Sequence, residues 1–258
     1  MTAASRRPLV AGNWKMHPTD RAAALALALA VAEHTAATTS DERVEVVVCP
    51  PAIWLGDVAA SLEGTGVGVG AQTMHPHDSG AFTGEISPAM LAGMAKYVIV
   101  GHSERRQLFG ETDEDVAAKV ASAVAHGLVP IAAVGETRDE RRAHDTALVL
   151  ERQVRAVISR LDVLAGSRLV VAYEPVWAIG TGDAATGADA QAGAALIRSL
   201  LAERDPAGAA ETRILYGGSV ASELAADYFS QQDVDGALVG GASLDARAFA
   251  GIVHAAAA

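Results

Sequence analysis

Three side chains that can move protons or bind anions each follow a short apolar run of the chain. They are Lys15, His102 and Glu174. A positioned carboxylate and imidazole can act as general base and acid, and an ammonium group stabilises developing negative charge. Two further apolar runs end in glycines, at Gly217-Gly218-Ser219 and Gly240-Gly241, where backbone N–H groups can approach an anion at a helix N-terminus. These residues predict cofactor-free proton transfer on a small phosphorylated molecule.

Eight apolar runs must position these groups, and they alternate with longer segments rich in Ala, Leu and Val. Most runs are continuous rather than alternating, which is typical of parallel strands covered on both faces. The runs are Leu9–Lys15, Val44–Pro50, Val67–Gln72, Tyr97–His102, Leu128–Glu136, Leu169–Pro175, Thr212–Gly218 and Asp235–Gly241. Their ends recur about every 32 residues, which suits a βα unit. The pattern predicts one α/β domain over residues 1–258, a (β/α)8 TIM barrel, with an open doubly wound sheet as the alternative.

Helices are predicted between these runs from composition and capping residues. The predicted segments include Asp20–Thr39, a helix capped by Ser87 before Pro88, a helix capped by Thr112, Arg141–Leu161, Ala188–Asp205, Ser222–Phe229 and a short helix at Ala242–Leu244. In a (β/α)8 barrel the carboxyl ends of the strands meet at one rim, where active sites lie. The barrel therefore predicts that Asn13, Lys15, Gln72, His102, Glu136 and Glu174 gather at that rim.

Composition and charge exclude several classes of partner. The chain of 258 residues carries 31 acidic and 20 basic residues, a formal net charge of −11, which disfavours nucleic acid and anionic membranes. The most apolar stretch, Ala22–Ala32, is 11 residues long and shorter than a membrane span, and the N-terminus lacks a signal-peptide pattern. Cys49 is the one cysteine, which excludes a disulfide framework. We expect a cytoplasmic protein with no membrane contact.

Five segments carry a resemblance to the triosephosphate isomerase family. They are AGNWKM at 11–16, VGHSERR at 100–106, YEPVWAIGTG at 173–182, YGGSV at 216–220 and LVGGASL at 238–244. They occur in the family's order, on predicted strands one, four, six, seven and eight. The resemblance spans nearly the whole chain and implies interconversion of dihydroxyacetone phosphate and D-glyceraldehyde 3-phosphate in glycolysis and gluconeogenesis, without a cofactor or a metal.

The resemblance also implies a role for each site residue. Glu174 is expected to be the base that moves a proton between adjacent carbons, and His102 the neutral electrophile that polarises the substrate oxygen. Lys15 and Asn13 would bind the substrate and stabilise the enediolate, and Glu104 would pair with Lys15. The phosphate would be bound by Gly180, Ser219, Gly240 and Gly241, and residues 175–182 resemble the lid over the site.

The segment 73–86 resembles the family's dimer loop, which implies a homodimer with Thr83 near the partner's active site. Other positions depart from the family pattern: His17, Thr73, Ala133 and Asp183-Ala184-Ala185. Three alternatives remain open: an isomerase of a related four-carbon sugar phosphate, a non-catalytic phosphate sensor with the same fold, and a metal site at His75, His77, Asp78 and His17. A dinucleotide-like GTGDAA pattern at 180–185 does not directly follow a strand.

Overall fold

The eight apolar runs each contain one strand of a closed parallel barrel. The computed structural model describes residues 6–164, 168–179 and 185–258. The strands are β1 Leu9–Asn13, β2 Glu45–Cys49, β3 Val67–Ala71, β4 Tyr97–Val100, β5 Val129–Val134, β6 Val170–Tyr173, β7 Arg213–Tyr216 and β8 Gly236–Val239. Each strand pairs in parallel with its neighbours in the sequence, and β8 closes onto β1 with Val10 opposite Ala237. The predicted TIM barrel is confirmed, and the open-sheet alternative is wrong.

Helices cover the outside of this barrel. Their bounds are α1 Arg21–Ser40, α2 Leu55–Ser61, α3 Pro88–Leu91, α4 Ser103–Phe109, α5 Asp113–Ala125, α6 Arg138–Arg142, α7 Thr146–Ile158, α8 Gly187–Arg204, α9 Pro206–Glu211, α10 Ser222–Phe229 and α11 Ala246–Ala256. The predicted caps are present: the side chain of Ser87 accepts from the N–H of Met90, and Thr112 forms a reciprocal capping box with Asp115. Gly241–Leu244 is the predicted short helix, as a 3₁₀ turn.

The predicted single helix over Arg141–Leu161 is wrong, because the chain forms two helices there. After α6 ends at Arg142, His144 adopts the left-handed conformation, with φ of 63°. The N–H of His144 then donates to the carbonyl of Arg141, and the N–H of Asp145 donates to the carbonyl of Glu140. This is the Schellman ending of a helix, which usually has glycine at the left-handed position. A new helix begins at Thr146.

Helix α1 is long and apolar enough to cross a membrane by length and composition alone, over more residues than the 11-residue stretch noted in the sequence. It instead packs against α11, α2 and β2. Ala24, Ala28 and Val31 lie on its fully buried face, against the barrel. Its apolar character is therefore that of a barrel helix covering the sheet.

Strand side chains fill two layers of core. Inward-facing residues such as Leu9, Ala11 and Ile99 fill the barrel interior, while alternate residues such as Val10 and Val46 pack outward against the helices. Both faces of the sheet are thus apolar, which explains why the strand sequences are continuous apolar runs. The polar side chains are confined to the strand ends, where they form the sites described next.

Candidate active site

The carboxyl ends of the strands bring most of the predicted site residues to one cavity. Asn13 is the last residue of β1, Glu174 directly follows β6, and His102 lies two residues beyond β4. The cavity has a volume of about 300 Å³, and its lining includes Asn13, Lys15, His102, Glu174, Ser219, Gly240 and Gly241. Glu104 reaches the same place through Lys15, as described below. Gly180 lies outside the described residues, as do Asp183 and Ala184 of the departing hinge.

Lys15 is held by its neighbours in an unusual backbone conformation. Its φ is 52°, in the left-handed region that side chains other than glycine rarely adopt. The side-chain oxygen of Asn13 accepts from its N–H at 3.0 Å, and the amide nitrogen of Gln72 donates to its carbonyl at 2.7 Å. The Nζ atom donates to Oε1 of Glu104 at 2.5 Å. Asn13 and Gln72 therefore position the backbone of Lys15, and Glu104 forms an ion pair with its ammonium group.

Hydrogen bonds define which nitrogen of His102 carries a proton. His102 caps the N-terminus of α4, and its Nδ1 accepts from the N–H of Glu104 at 3.2 Å. An accepting Nδ1 is unprotonated, so the ring is neutral with its proton on Nε2. The Nε2 atom lies 3.2 Å from Oε1 of Glu174. The imidazole thus directs an N–H donor into the cavity, next to the carboxylate.

Glu174 is 2% exposed although it carries a carboxylate. Its Oε2 accepts from the N–H of Ser103 at 3.0 Å, and His102 lies at its Oε1. A Cβ atom on Gly217 would come within 2.7 Å of Cγ of Glu174, so the glycine after β7 leaves room for this side chain. The carboxylate is buried, accepts one hydrogen bond from the backbone and lies beside the imidazole, which suits a general base.

Glycines that follow β7 and β8 also line the cavity. Gly241 begins the 3₁₀ turn Gly241–Leu244, and a Cβ atom added to it would meet nothing within 4 Å. The Nζ atom of Lys15 lies 3.9 Å from the position that a Cβ atom would take on Gly240. Ser219 places its hydroxyl within 2.7 Å of the carbonyl of Ala178. A cation beside a glycine turn at a helix start is an arrangement that suits a phosphate group.

Two strand-end residues proved to have supporting positions that the sequence did not assign. Gln72 contacts the backbone of Lys15, while Glu136 is fully buried and does not line the cavity. Glu136 accepts from Nε1 of Trp177 at 2.8 Å and from the hydroxyl of Tyr173 at 3.2 Å. Their place at strand ends was the available signal, but strand position alone does not reveal which partner a side chain reaches.

The histidines of the 73–86 segment form a ring cluster. His75 packs on Phe82 with ring centroids 3.9 Å apart, and His77 stacks on the same ring at 5.4 Å. Among residues 6–164, 168–179 and 185–258, no group of three or more His, Cys, Asp or Glu side chains could hold a metal ion. The metal interpretation of this segment therefore has no geometric support in the described part of the chain.

The closed barrel and its rim define a (β/α)8-barrel protein with a cavity suited to a small anion and to proton transfer. A family model for triosephosphate isomerase matches residues 8–256. Triosephosphate isomerases from Symbiobacterium thermophilum and Moorella thermoacetica are each 51% identical, over 98% and 96% of this chain and 98% of each relative. One from Magnetococcus marinus is 52% identical over 96% of this chain and 98% of the relative. The chain belongs to the triosephosphate isomerase family, and the resemblance seen in its motifs is confirmed.

Proposed function

We propose that this chain interconverts dihydroxyacetone phosphate and D-glyceraldehyde 3-phosphate by proton transfer through an enediolate, as a cytoplasmic enzyme of glycolysis and gluconeogenesis. The observation that carries the proposal is the cavity in which the Glu174 carboxylate lies 3.2 Å from Nε2 of His102 and whose lining includes Lys15 and the glycine turns. The relatives reported above all carry the name triosephosphate isomerase, which favours a three-carbon substrate over the four-carbon alternative.

Glu174 acts as the base in this proposal. Its carboxylate removes a proton from the carbon next to the substrate carbonyl and returns it to the neighbouring carbon, while the hydroxyl proton of the substrate moves from one oxygen to the other. His102 donates a hydrogen bond from Nε2 to the substrate oxygen, which stabilises the negative charge that develops there. The aldose and ketose have the same oxidation level overall, so the reaction requires proton transfer but no electron carrier.

The substrate is bound by the charged and glycine-rich residues that line the cavity. Lys15 supplies a positive charge to the phosphate and the enediolate, and Asn13 adds a hydrogen bond. Glu104 holds the ammonium group in place before substrate enters, because its carboxylate accepts a hydrogen bond from Nζ of Lys15. Ser219, Gly240 and Gly241 receive the phosphate, and Gly180 stays a predicted contributor outside the described residues.

The proposal includes a homodimer formed through segment 73–86. Large apolar side chains are exposed in the segments that follow four adjacent strands, β1 to β4: Met16, Ile53, Phe82, Leu108 and Phe109, with exposed fractions from 43% to 86%. Because adjacent parallel strands end side by side, these side chains share one end and one side of the barrel. Exposed apolar clusters of this kind mark protein–protein interfaces, and Thr83 of the same region would reach the partner's site.

A coupled assay with a panel of substrates tests the activity. Purified protein is supplied with glyceraldehyde 3-phosphate, dihydroxyacetone phosphate, and four-carbon aldose and ketose phosphates. We expect turnover with the three-carbon pair in both directions and a kcat/KM at least about a hundredfold lower for the four-carbon compounds, since the cavity is small. Turnover confined to four-carbon substrates would instead support the alternative isomerase, and binding without turnover would support a phosphate sensor.

A further inference from the structure

Two arginines of the short helix α6 reach the turn that directly follows Glu174. That turn, Val176–Ala178, carries Trp177. Arg138 donates to the carbonyl of Trp177 at 3.2 Å, and the guanidinium carbon of Arg141 lies 4.0 Å from the centre of the Trp177 ring. At that distance a guanidinium group is attracted to the face of an indole ring. The residue that follows Glu174 and Pro175 is also fixed, because the N–H of Val176 donates to the carbonyl of Glu136 at 3.0 Å.

Arg141 also holds the first turn of α8. Its Nη2 donates to Oδ1 of Asp189 at 2.7 Å, while the other oxygen of Asp189 accepts from the N–H and hydroxyl of Thr186 in a capping box. Its Nη1 lies 3.5 Å from the buried Glu136 carboxylate, which binds the indole N–H of Trp177. One guanidinium group therefore contacts the face of Trp177, the acceptor of the Trp177 N–H, and the cap of α8.

We propose that Arg141 is a positioning residue for catalysis, which acts through Trp177 to fix the backbone that carries the Glu174 carboxylate. Glu174 stands at the end of β6, two peptide units before the Val176–Ala178 turn. Because Trp177 is held on its face and at its N–H, that turn is anchored against α6 in this conformation. Displacement of a reacting group by about 1 Å can cost about a hundredfold in rate. This role rests on the proposed isomerase activity.

Arg141 is suited to this position in a way that lysine is not. The planar guanidinium stacks on the indole and at the same time directs separate N–H groups to Asp189 and Glu136. A lysine at the same place retains the charge but cannot stack and bind both carboxylates in this geometry. Substitution by lysine therefore separates the effect of the positive charge from the effect of the planar guanidinium group.

The test compares Arg141→Gln and Arg141→Lys with Arg142→Gln as the matched control. Arg142 is the next residue on α6; its side chain is exposed, and it lies 3.8 Å from the exposed Asp139. For Arg141→Gln we expect kcat to fall about tenfold or more while KM changes less than about threefold, because the residues that receive the substrate phosphate are unchanged. Arg141→Lys should recover only part of the loss, and Arg142→Gln should match the unsubstituted protein.

A second readout does not depend on activity. The chain has three tryptophans, so the emission of Trp177 is taken as the difference between each protein and its Trp177→Phe derivative. Arg141→Gln should shift that emission to longer wavelength, because the indole face becomes open to water, and Arg142→Gln should leave it unchanged.

The two readouts together decide the proposal. An unchanged kcat in Arg141→Gln, or a loss that appears in KM alone, would overturn the positioning role, as would full recovery in Arg141→Lys or an unshifted Trp177 emission. If the unsubstituted protein itself shows no isomerase activity, the proposed function fails. The emission experiment then still shows whether Arg141 holds Trp177.

Discussion

The hydrogen bond that His102 accepts at Nδ1 makes its ring a neutral donor at Nε2. The backbone N–H of Glu104 occupies Nδ1, and this contact follows from the position of His102 as the cap of α4. A neutral imidazole with its proton on Nε2 can donate a hydrogen bond to a substrate carbonyl oxygen. The Glu174 carboxylate, 3.2 Å from Nε2, then remains available to accept a proton from the substrate. The local helix start therefore defines both the tautomer and the direction of the donor.

We expect His102→Gln to lower kcat about a hundredfold to a thousandfold, because removal of one donor to a developing oxyanion has an effect of that size. KM should change far less, since the residues that receive the substrate phosphate are unchanged in this variant. Steady-state kinetics with glyceraldehyde 3-phosphate measure both constants. His254→Gln, on the exposed side of α11, is the control. A His102→Gln protein with the kcat of the control would remove His102 from the mechanism.

Much of the site could be predicted from the sequence, because parallel strands carry their carboxyl ends to one rim. Lys15, His102 and Glu174 each follow an apolar run, so their convergence required only the barrel. The supporting contacts could not be predicted. That Gln72 holds the carbonyl of Lys15, 57 residues away, depends on side-chain geometry that strand spacing does not contain.

At the scale of elements, the strands were easier to predict than the helix boundaries. A strand buried on both faces is a continuous apolar run with clear ends, whereas the helix predicted over Arg141–Leu161 spans the break at His144 between α6 and α7. The break depends on one residue in the left-handed conformation and on two backbone hydrogen bonds. Glycine is the usual residue at such a position, and because histidine stands there the break could not be predicted from residue type.

We expect His144→Gly to stabilise the protein by about 1 kcal/mol, because glycine adopts positive φ without the steric cost that a Cβ atom brings. Urea denaturation compares the free energy of unfolding with that of the unsubstituted protein. The matched variant His34→Gly, inside α1, should instead destabilise by about 1 kcal/mol. If His144→Gly were as destabilising as His34→Gly, the left-handed ending of α6 would not be the native structure.

At the scale of the whole molecule, the end of the barrel opposite the active site carries an ion-pair network. Glu45 accepts from Lys96 at 2.6 Å and from Arg213 at 2.7 Å, and Arg213 also donates to the hydroxyl of Tyr97 at 2.9 Å. These residues lie at or next to the starts of β2, β4 and β7. Burial opposes ionisation of Glu45, but the hydrogen bonds from Lys96 and Arg213 outweigh it and lower the pKa of the carboxyl to about 2.

This lowered pKa predicts an acid-dependent loss of stability. The unfolded chain binds a proton at Glu45 below its ordinary pKa of 4.5, while the folded chain does so only near 2. The contribution of Glu45 is therefore complete above pH 4.5 and is lost as the pH falls towards 2. Glu45→Gln should destabilise by about 2 kcal/mol at pH 7, because Arg213 loses a buried partner.

The difference between Glu45→Gln and the unsubstituted protein should then shrink in acid, which urea denaturation at a series of pH values measures. Glu63→Gln, at an exposed position, is the control and should show no such trend. A difference that is constant from pH 7 to pH 3, or that grows in acid, would contradict the predicted direction.

The apolar side chains beyond β1 to β4 lead to a prediction for assembly. Ile53 is 74% exposed in the single chain, and a charge there should prevent association of two such surfaces. We expect size-exclusion chromatography with light scattering to show a dimer, and Ile53→Asp to give a monomer with reduced activity. Leu148→Asp, a comparably exposed position on α7, should leave the dimer intact. A stable monomer with full activity would contradict the proposed dimer.

The most direct test of the proposed mechanism is the turnover of glyceraldehyde 3-phosphate by Glu174→Gln. The glutamine retains the size of the side chain and a hydrogen-bonding oxygen for the N–H of Ser103, but it cannot accept the substrate proton as a carboxylate does. We expect kcat to fall by about a thousandfold or more, while the exposed control Glu63→Gln retains the activity of the unsubstituted protein. Normal turnover by a correctly folded Glu174→Gln protein would show that Glu174 is not the base.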